Sequence, residues 1–203
     1  MKRAMIDIET LGTSMDAIIA QIGIVISQAG VCDFSFDTTL DWREQELLGR
    51  KADVFTLLWW SQEDRIAKFQ ELAKRQNFNR GKMAEKLDFI VFHLRDCDEV
   101  WANSPSFDLA IINNLLAQMN CGKISYKTEM DFRTARKLHP EVSYDYPEDA
   151  HNALADAQAQ VAHLRKLGIW PDWPNMSESQ CIKTGALRKE ELVKLATTEV
   201  AHG

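Results

Sequence analysis

The chain has 203 residues, 45% of them hydrophobic and 27% charged, which suits one soluble globular domain, or one domain with a small appendage, and a sizeable core. The four cysteines, Cys32, Cys97, Cys121 and Cys181, have no CxxC spacing, which argues against a zinc knuckle or a disulfide framework and fits a reducing, cytoplasmic setting. No stretch approaches about 18 uncharged apolar residues, so no membrane partner is expected, and the formal charge of −6 weighs against nucleic acid only weakly, because two divalent ions would bring it to −2.

In chain order, KRAMIDIETLGT (2–13) opens with an apolar run, Ala4, Met5, Ile6 and Ile8, that reads as a core strand interrupted by Asp7 and Glu9. Residues i and i+2 of a strand share a face, roughly 6–7 Å apart. Unpaired buried carboxylates cost several kcal/mol each, so something cationic is expected between these two. The same acids break the apolar segment that a signal peptide beginning at Met1-Lys2-Arg3 would need. LGTSMD turns the chain at Gly12, IIAQIGIVIS (18–27) is β-branched, and QAG leads into VCDFSFDTTL (31–40), which alternates apolar and polar. Three strands joined by short turns predict an antiparallel meander.

The next stretches read as helical. LLWWSQEDRIAKFQELAKRQ (57–76) carries Ile66, Phe69 and Leu72 or Ala73 near helical spacing and is expected as one helix, and KMAEKLDFIVFHLRDC (82–97) as a second. EVWANSP (99–105) reads as a short buried strand ending at Pro105, followed by a helix over 107–122 with Gly122 near its C-cap. A strand around 124–130, a short helix at RTARKLHP (133–140) and a Tyr/Pro loop (144–149) come next. AHNALADAQAQVAHLRKLG (150–168) is the clearest helix, with Leu154, Ala157, Val161 and Leu164 in one stripe and Gly168 at its end. From WPDWPNMSESQ onward the composition changes to a linker, and a charged helix is expected over 186–200, so residues 1–170 are expected to form the domain and 171–203 an appendage to it. The pattern points to an α/β or α+β domain with a mixed sheet.

Four acids fall at the ends of predicted elements. Asp7 and Glu9 end the first strand, Asp108 opens the helix after EVWAN, and Asp156 lies in the first turns of the long helix, five residues after His151. Each has an ordinary reading as a cap, a dipole partner or a solvated edge. His93 and Asp98 show the same His-to-Asp spacing at a helix end, with no carboxylate strand beside them. The other set differs by conjunction. Ala150, Ala153, Ala155 and Ala157 would let a helix backbone approach a sheet closely, and NSPSFD places an acid where a strand hands over to a helix.

DIET (7–10), NSPSFD (103–108) and HNALADA (151–157), in that order, resemble the three motifs of the DEDDh branch of the 3′-5′ exonuclease superfamily, which holds polymerase proofreading exonucleases and ribonuclease T. The resemblance spans about residues 4–168. DIETLGT with LLWWSQ and VWANSPSFD is most similar to a smaller group comprising phage exonuclease A, exodeoxyribonuclease VIII-like prophage proteins and a mycobacterial-type 3′-5′ exoribonuclease. One departure is Asn103, which stands five rather than four residues before the acid.

The resemblance implies an RNase H-like mixed five-stranded sheet, three strands in an antiparallel meander plus parallel strands, flanked by helices. It implies a site for two Mg²⁺ or Mn²⁺ ions, about 4 Å apart, with Asp7 bridging both, Glu9 and Asp156 on the first and Asp108 on the second. Hard cations take oxygen ligands, hence carboxylates. His151 fits a general base near neutral pH. Thr10 and Leu11 resemble contacts to the terminal nucleotide, and Asn103 and Phe107 are further candidates, with core packing the alternative for Phe107. Trp59 and Trp60 could stack a terminal base, although adjacent helical residues cannot both face it, which leaves one for the core. The basic segment 65–86 could track phosphates or be a solvated face. Asp131 and Arg133 resemble a D-x-R feature of the smaller group.

The implied activity is hydrolysis of 3′ ends of single-stranded or 3′-overhang DNA or RNA with release of nucleoside 5′-monophosphates. The rivals are a nuclease-fold module that binds nucleic acid or a protein without cutting, an RNase H-type endonuclease, and a haloacid dehalogenase-type phosphatase. The last needs a second Asp where Glu9 stands. A homodimer, through the 186–200 helix, is left open.

Overall fold

A computed structural model describes residues 1–28, 32–76 and 82–170. The linker and helix expected beyond residue 170 lie outside the described residues, as do Ala29 and Gly30 of the QAG turn. Five strands, β1 (Lys2–Thr10), β2 (Ile19–Gln28), β3 (Cys32–Thr39), β4 (Glu99–Ala102) and β5 (Glu129–Asp131), form one sheet in the order β3-β2-β1-β4-β5. The first three are antiparallel neighbours, while β4 and β5 join on the other side of β1 in parallel. This is the mixed sheet expected of an RNase H-like domain.

Helices cover both faces: α1 (Trp42–Leu47), α2 (Val54–Trp60), α3 (Ile66–Lys74), α4 (Lys82–Leu94), α5 (Asp108–Met119), α6 (Phe132–Leu138) and α7 (Ala153–Lys166). The central strand is therefore buried at every residue from Ala4 to Thr10, as a strand sandwiched between two layers should be. Its period of two divides the layers. Ala4, Ile6 and Ile8 pack with Leu87, Ile90, Ile112 and Leu115 of α4 and α5. Met5 faces the other way, into a cluster with Val25, Trp101, Phe132, Val161 and Leu164. Asp7 and Glu9 share the parity of Met5, so they project toward α7.

The structure corrects several boundaries. Residues 57–76 form two helices, α2 and α3, broken over residues 61–65. In one straight helix Trp60 and Leu72 would be about 18 Å apart and point in different directions. The break lets both enter one cluster with Leu11, Ile18 and Ala20. The N-cap Asp53, which accepts from the Thr56 N–H at 2.8 Å, starts α2 three residues earlier than expected. Asp41 caps the short α1, an element with too few residues to show a period. The strand expected over 124–130 is reduced to β5, because a 3-10 turn occupies Tyr126–Thr128. The helix expected over 107–122 ends at Met119, with Asn120 at φ +55° as its left-handed cap; Gly122 lies beyond it. No described helix is long and apolar enough to cross a membrane.

Candidate active site

Asp7, Glu9 and Asp156 meet at the end of β1. Oxygens of their three carboxylates all lie within 4.8 Å of one another, and Asp7 and Glu9 are each only 9% exposed. The local cause is an absent side chain. Gly23 is the ladder partner of Asp7, and a Cβ there would sit 2.2 Å from the Ala153 carbonyl carbon, so the first turn of α7 rests directly on β2. Gln21, the partner of Glu9, fastens that turn: its Oε1 accepts from the Ala153 N–H at 3.1 Å. Asn152 caps α7 by accepting from the Leu154 N–H. One turn beyond Asp156, Gln160 donates its amide to Asp7 Oδ1 at 2.8 Å.

Asp108 opens α5 and is 4% exposed, with Oδ2 accepting from the Ser104 N–H at 3.1 Å. It stands outside the tight trio, yet its charge reaches Asp7 and Glu9. Burial, then repulsion from Asp108, Glu9 and Asp156, pushes the Asp7 carboxyl well above the usual carboxylate range. Burial, then Asp156 and Asp108, does the same to Glu9, and the Lys68 charge opposes it. Asp108 and Asp156 are pushed up to about 6, mainly by burial. Four acids that resist joint ionisation, offering only oxygen donors, form a site that hard divalent cations would relieve.

His151 is not part of α7. It precedes the cap in the left-handed region, φ +63°, and its backbone N–H donates to Asp156 Oδ2 at 2.9 Å. Its ring stands edge-on to Trp59, centroids 4.8 Å apart, and to Trp60 at 6.2 Å. Burial and the nearby Arg65 charge lower its pKa, so the imidazole is neutral at neutral pH.

The remaining candidates separate by burial. Trp60 is the core member of its pair: it is 1% exposed and donates Nε1–H to the Thr10 carbonyl at 2.9 Å, so it offers no stacking platform. Trp59 faces His151, and the Arg65 guanidinium lies over its ring at 4.2 Å. Leu11 is buried in the Trp60 cluster, and the Thr10 hydroxyl donates to the Gly12 carbonyl. Phe107 packs against the α4–α5 core, and Asn103 is half-buried in the bend between β4 and α5. Asp131 caps α6 through the Thr134 N–H, and the charge of the exposed Arg133 reaches Asp108. Within the basic segment, Arg65 pairs with Asp64, Lys68 with Glu71 and Asp149, and Arg75 with Asp37, so these cations are already engaged. His93 is caged by Phe34, Phe36, Phe89 and Phe92, a structural histidine. Gln21, Gly23 and Gln160 are missed by sequence reasoning, although Gln160 stands four residues after Asp156 and so on its face of the helix.

No curated protein matches the sequence. Among solved structures the chain is similar to a moderately thermophilic exonuclease I from Methylocaldum szegediense, at 17% identity and a TM-score of 0.48, over 96% of this chain and 45% of that one. The chain thus spans less than half of that protein, and a likeness this distant supports no argument. A family model does match, over residues 2–168, and that stretch runs from β1 to the end of α7 and contains all four acids and His151. By that match the chain belongs to the family of the 3′-5′ exoribonuclease Rv2179c-like domain.

Proposed function

We propose that the protein is a metal-dependent 3′-5′ exonuclease acting on single-stranded or 3′-overhang DNA or RNA and releasing nucleoside 5′-monophosphates, with the activity housed in residues 1–170. The observation that carries this reading is the meeting of Asp7, Glu9 and Asp156, all within 4.8 Å, beside a His151 held outside its helix. The donor set fits Mg²⁺ or Mn²⁺: carboxylate oxygens, those of Asp7 and Glu9 buried and that of Asp156 half-buried, with raised pKa values and no thiol. In this assignment Asp7 would help to hold both ions, Glu9 and Asp156 would hold the first, and Asp108 would serve the second. Bound there, the ions would polarise the scissile phosphate, acidify the attacking water and offset charge on the leaving oxygen.

The chain supplies the rest. Neutral His151 accepts the proton of the attacking water, and its backbone bond to Asp156 ties that group to the acid cluster. Gln160 fixes the orientation of Asp7. Thr10, Leu11, Asn103 and Phe107 are the proposed contacts to the terminal nucleotide.

The test uses 5′-labelled linear and circular single strands, DNA and RNA in parallel, with Mg²⁺ or Mn²⁺. A ladder that shortens from the 3′ end, with monophosphate products and intact circles, supports the proposal. Cut circles would point to an endonuclease, and intact linear strands under every condition to a binding module.

A further inference from the structure

His151 occupies a left-handed backbone region that few non-glycine residues adopt, so the surroundings must hold it there. Its bond to Asp156 fixes the backbone and leaves the ring free to turn. The described ring contacts of its imidazole come from Trp59 and Trp60 on α2. Both indoles are themselves anchored, Trp59 beneath the Arg65 guanidinium and Trp60 by its bond to the Thr10 carbonyl.

A second attachment lies two residues before His151. Asp149 receives Lys68 Nζ of α3 at 2.9 Å on Oδ1 and 3.1 Å on Oδ2, and the Asn152 amide at 2.6 Å on Oδ2. One carboxylate therefore connects α3, the His151 loop and the cap residue of α7. Glu71 holds the same Lys68 ammonium at 3.0 Å, and the lysine side chain is 14% exposed.

We propose that α2 and α3 form a wall that positions His151, with Trp59 as the seat of its ring and the Lys68–Asp149 pair as the tether of its loop. Trp59, Lys68 and Asp149 are then positioning residues. Their consequence for turnover rests on the exonuclease reading; their effect on His151 does not. The competing role for Lys68 is a direct contact to substrate phosphate, since its charge reaches Glu9. Asp149 discriminates between the two, because a carboxylate repels phosphate and has no part in that role.

The first readout is the His151 ring resonance of the metal-free protein, assigned by its loss in His151→Ala. Two edge-on indoles displace it from the position of a free histidine. It should move toward that position in Trp59→Ala, Asp149→Asn and Lys68→Met, and stay close to wild type in Trp59→Phe. The second readout is kinetic. Asp149→Asn and Lys68→Met should each lower kcat about tenfold, less than loss of the base itself, with KM for the oligonucleotide unchanged. The double variant should be no worse than the poorer single one, and the exchanged pair Lys68→Asp with Asp149→Lys should recover part of the loss. A His151 resonance unmoved by every substitution overturns the proposal. So does a raised KM in Lys68→Met beside a silent Asp149→Asn. A wild-type protein without nuclease activity would sink the exonuclease reading alone, and the resonance would still decide the positioning.

Discussion

Replacing Asp108 with asparagine should stabilise the metal-free protein, although it removes a candidate catalytic acid. Asp108 is 4% exposed and its pKa is pushed up to about 6 by burial, despite the N–H groups donated to it. In the unfolded chain it titrates near the ordinary value of about 3.9. Between those values the folded state binds more protons than the unfolded one, so the contribution of this group to stability falls as pH rises toward 6 and stays lost above it. Two pKa units correspond to about 3 kcal/mol, and relaxation of the neighbouring acids reduces this, giving about 1–3 kcal/mol. Asp108→Asn removes the charge while its amide oxygen can still accept from the Ser104 N–H. At about 2–4 °C per kcal/mol for a domain of this size, the variant should melt several degrees higher in EDTA at pH 7.5, with the gain vanishing below pH 4. Mg²⁺ should narrow or reverse the difference if Asp108 serves the proposed metal site, because the folded wild type would then bind it more tightly. Thermal melts of both proteins from pH 4 to 8, with and without metal, provide the assay. A less stable variant at pH 7.5 in EDTA, or a gain independent of pH, would refute the reasoning.

Gly23→Ala places a Cβ 2.2 Å from the Ala153 carbonyl carbon and must lift α7, so it should cost about 1–3 kcal/mol or more in a melt and weaken Mn²⁺ binding by moving Asp156. Gln160→Leu removes the amide that lowers the Asp7 pKa; it should weaken Mn²⁺ binding about 10–100-fold in a calorimetric titration at pH 7. Wild-type metal affinity should fall as pH drops through about 6, where Asp108 and Asp156 take up protons, and binding below neutral pH should release protons to the buffer.

Much of the geometry of the candidate site could be read in the chain because its cues are local. Asp7 and Glu9 interrupt an apolar run with a period of two, and that parity does carry both to the α7 side of the sheet. Asp156 and the small residues Ala153 and Ala157 fall where a helix meets the sheet closely. The meander follows from strand spacing in the same way, whereas the parallel strands beside it are implied by the family resemblance.

What escaped is non-local. Gln21 and Gly23 matter because the ladder sets them opposite Glu9 and Asp7, a register that no window of the sequence contains. Lys68 and Asp149 are 81 residues apart. The break between α2 and α3 escaped for the opposite reason: helical spacing reads straight through residues 61–65, and only the shared cluster around Leu11 forces the chain to turn. Burial likewise decides between Trp59 and Trp60, a choice that adjacency alone left open.

The division of labour between the acids and the histidine is tested most directly by digesting a 5′-labelled strand at saturating Mn²⁺ with wild type, Asp7→Ala and His151→Ala. A general base contributes typically 10²–10⁴-fold, whereas Asp7 is the proposed ligand shared by both ions. The account predicts metal-dependent shortening from the 3′ end by wild type, a measurable trace with His151→Ala, and none with Asp7→Ala. Equal residual rates in the two variants would contradict it.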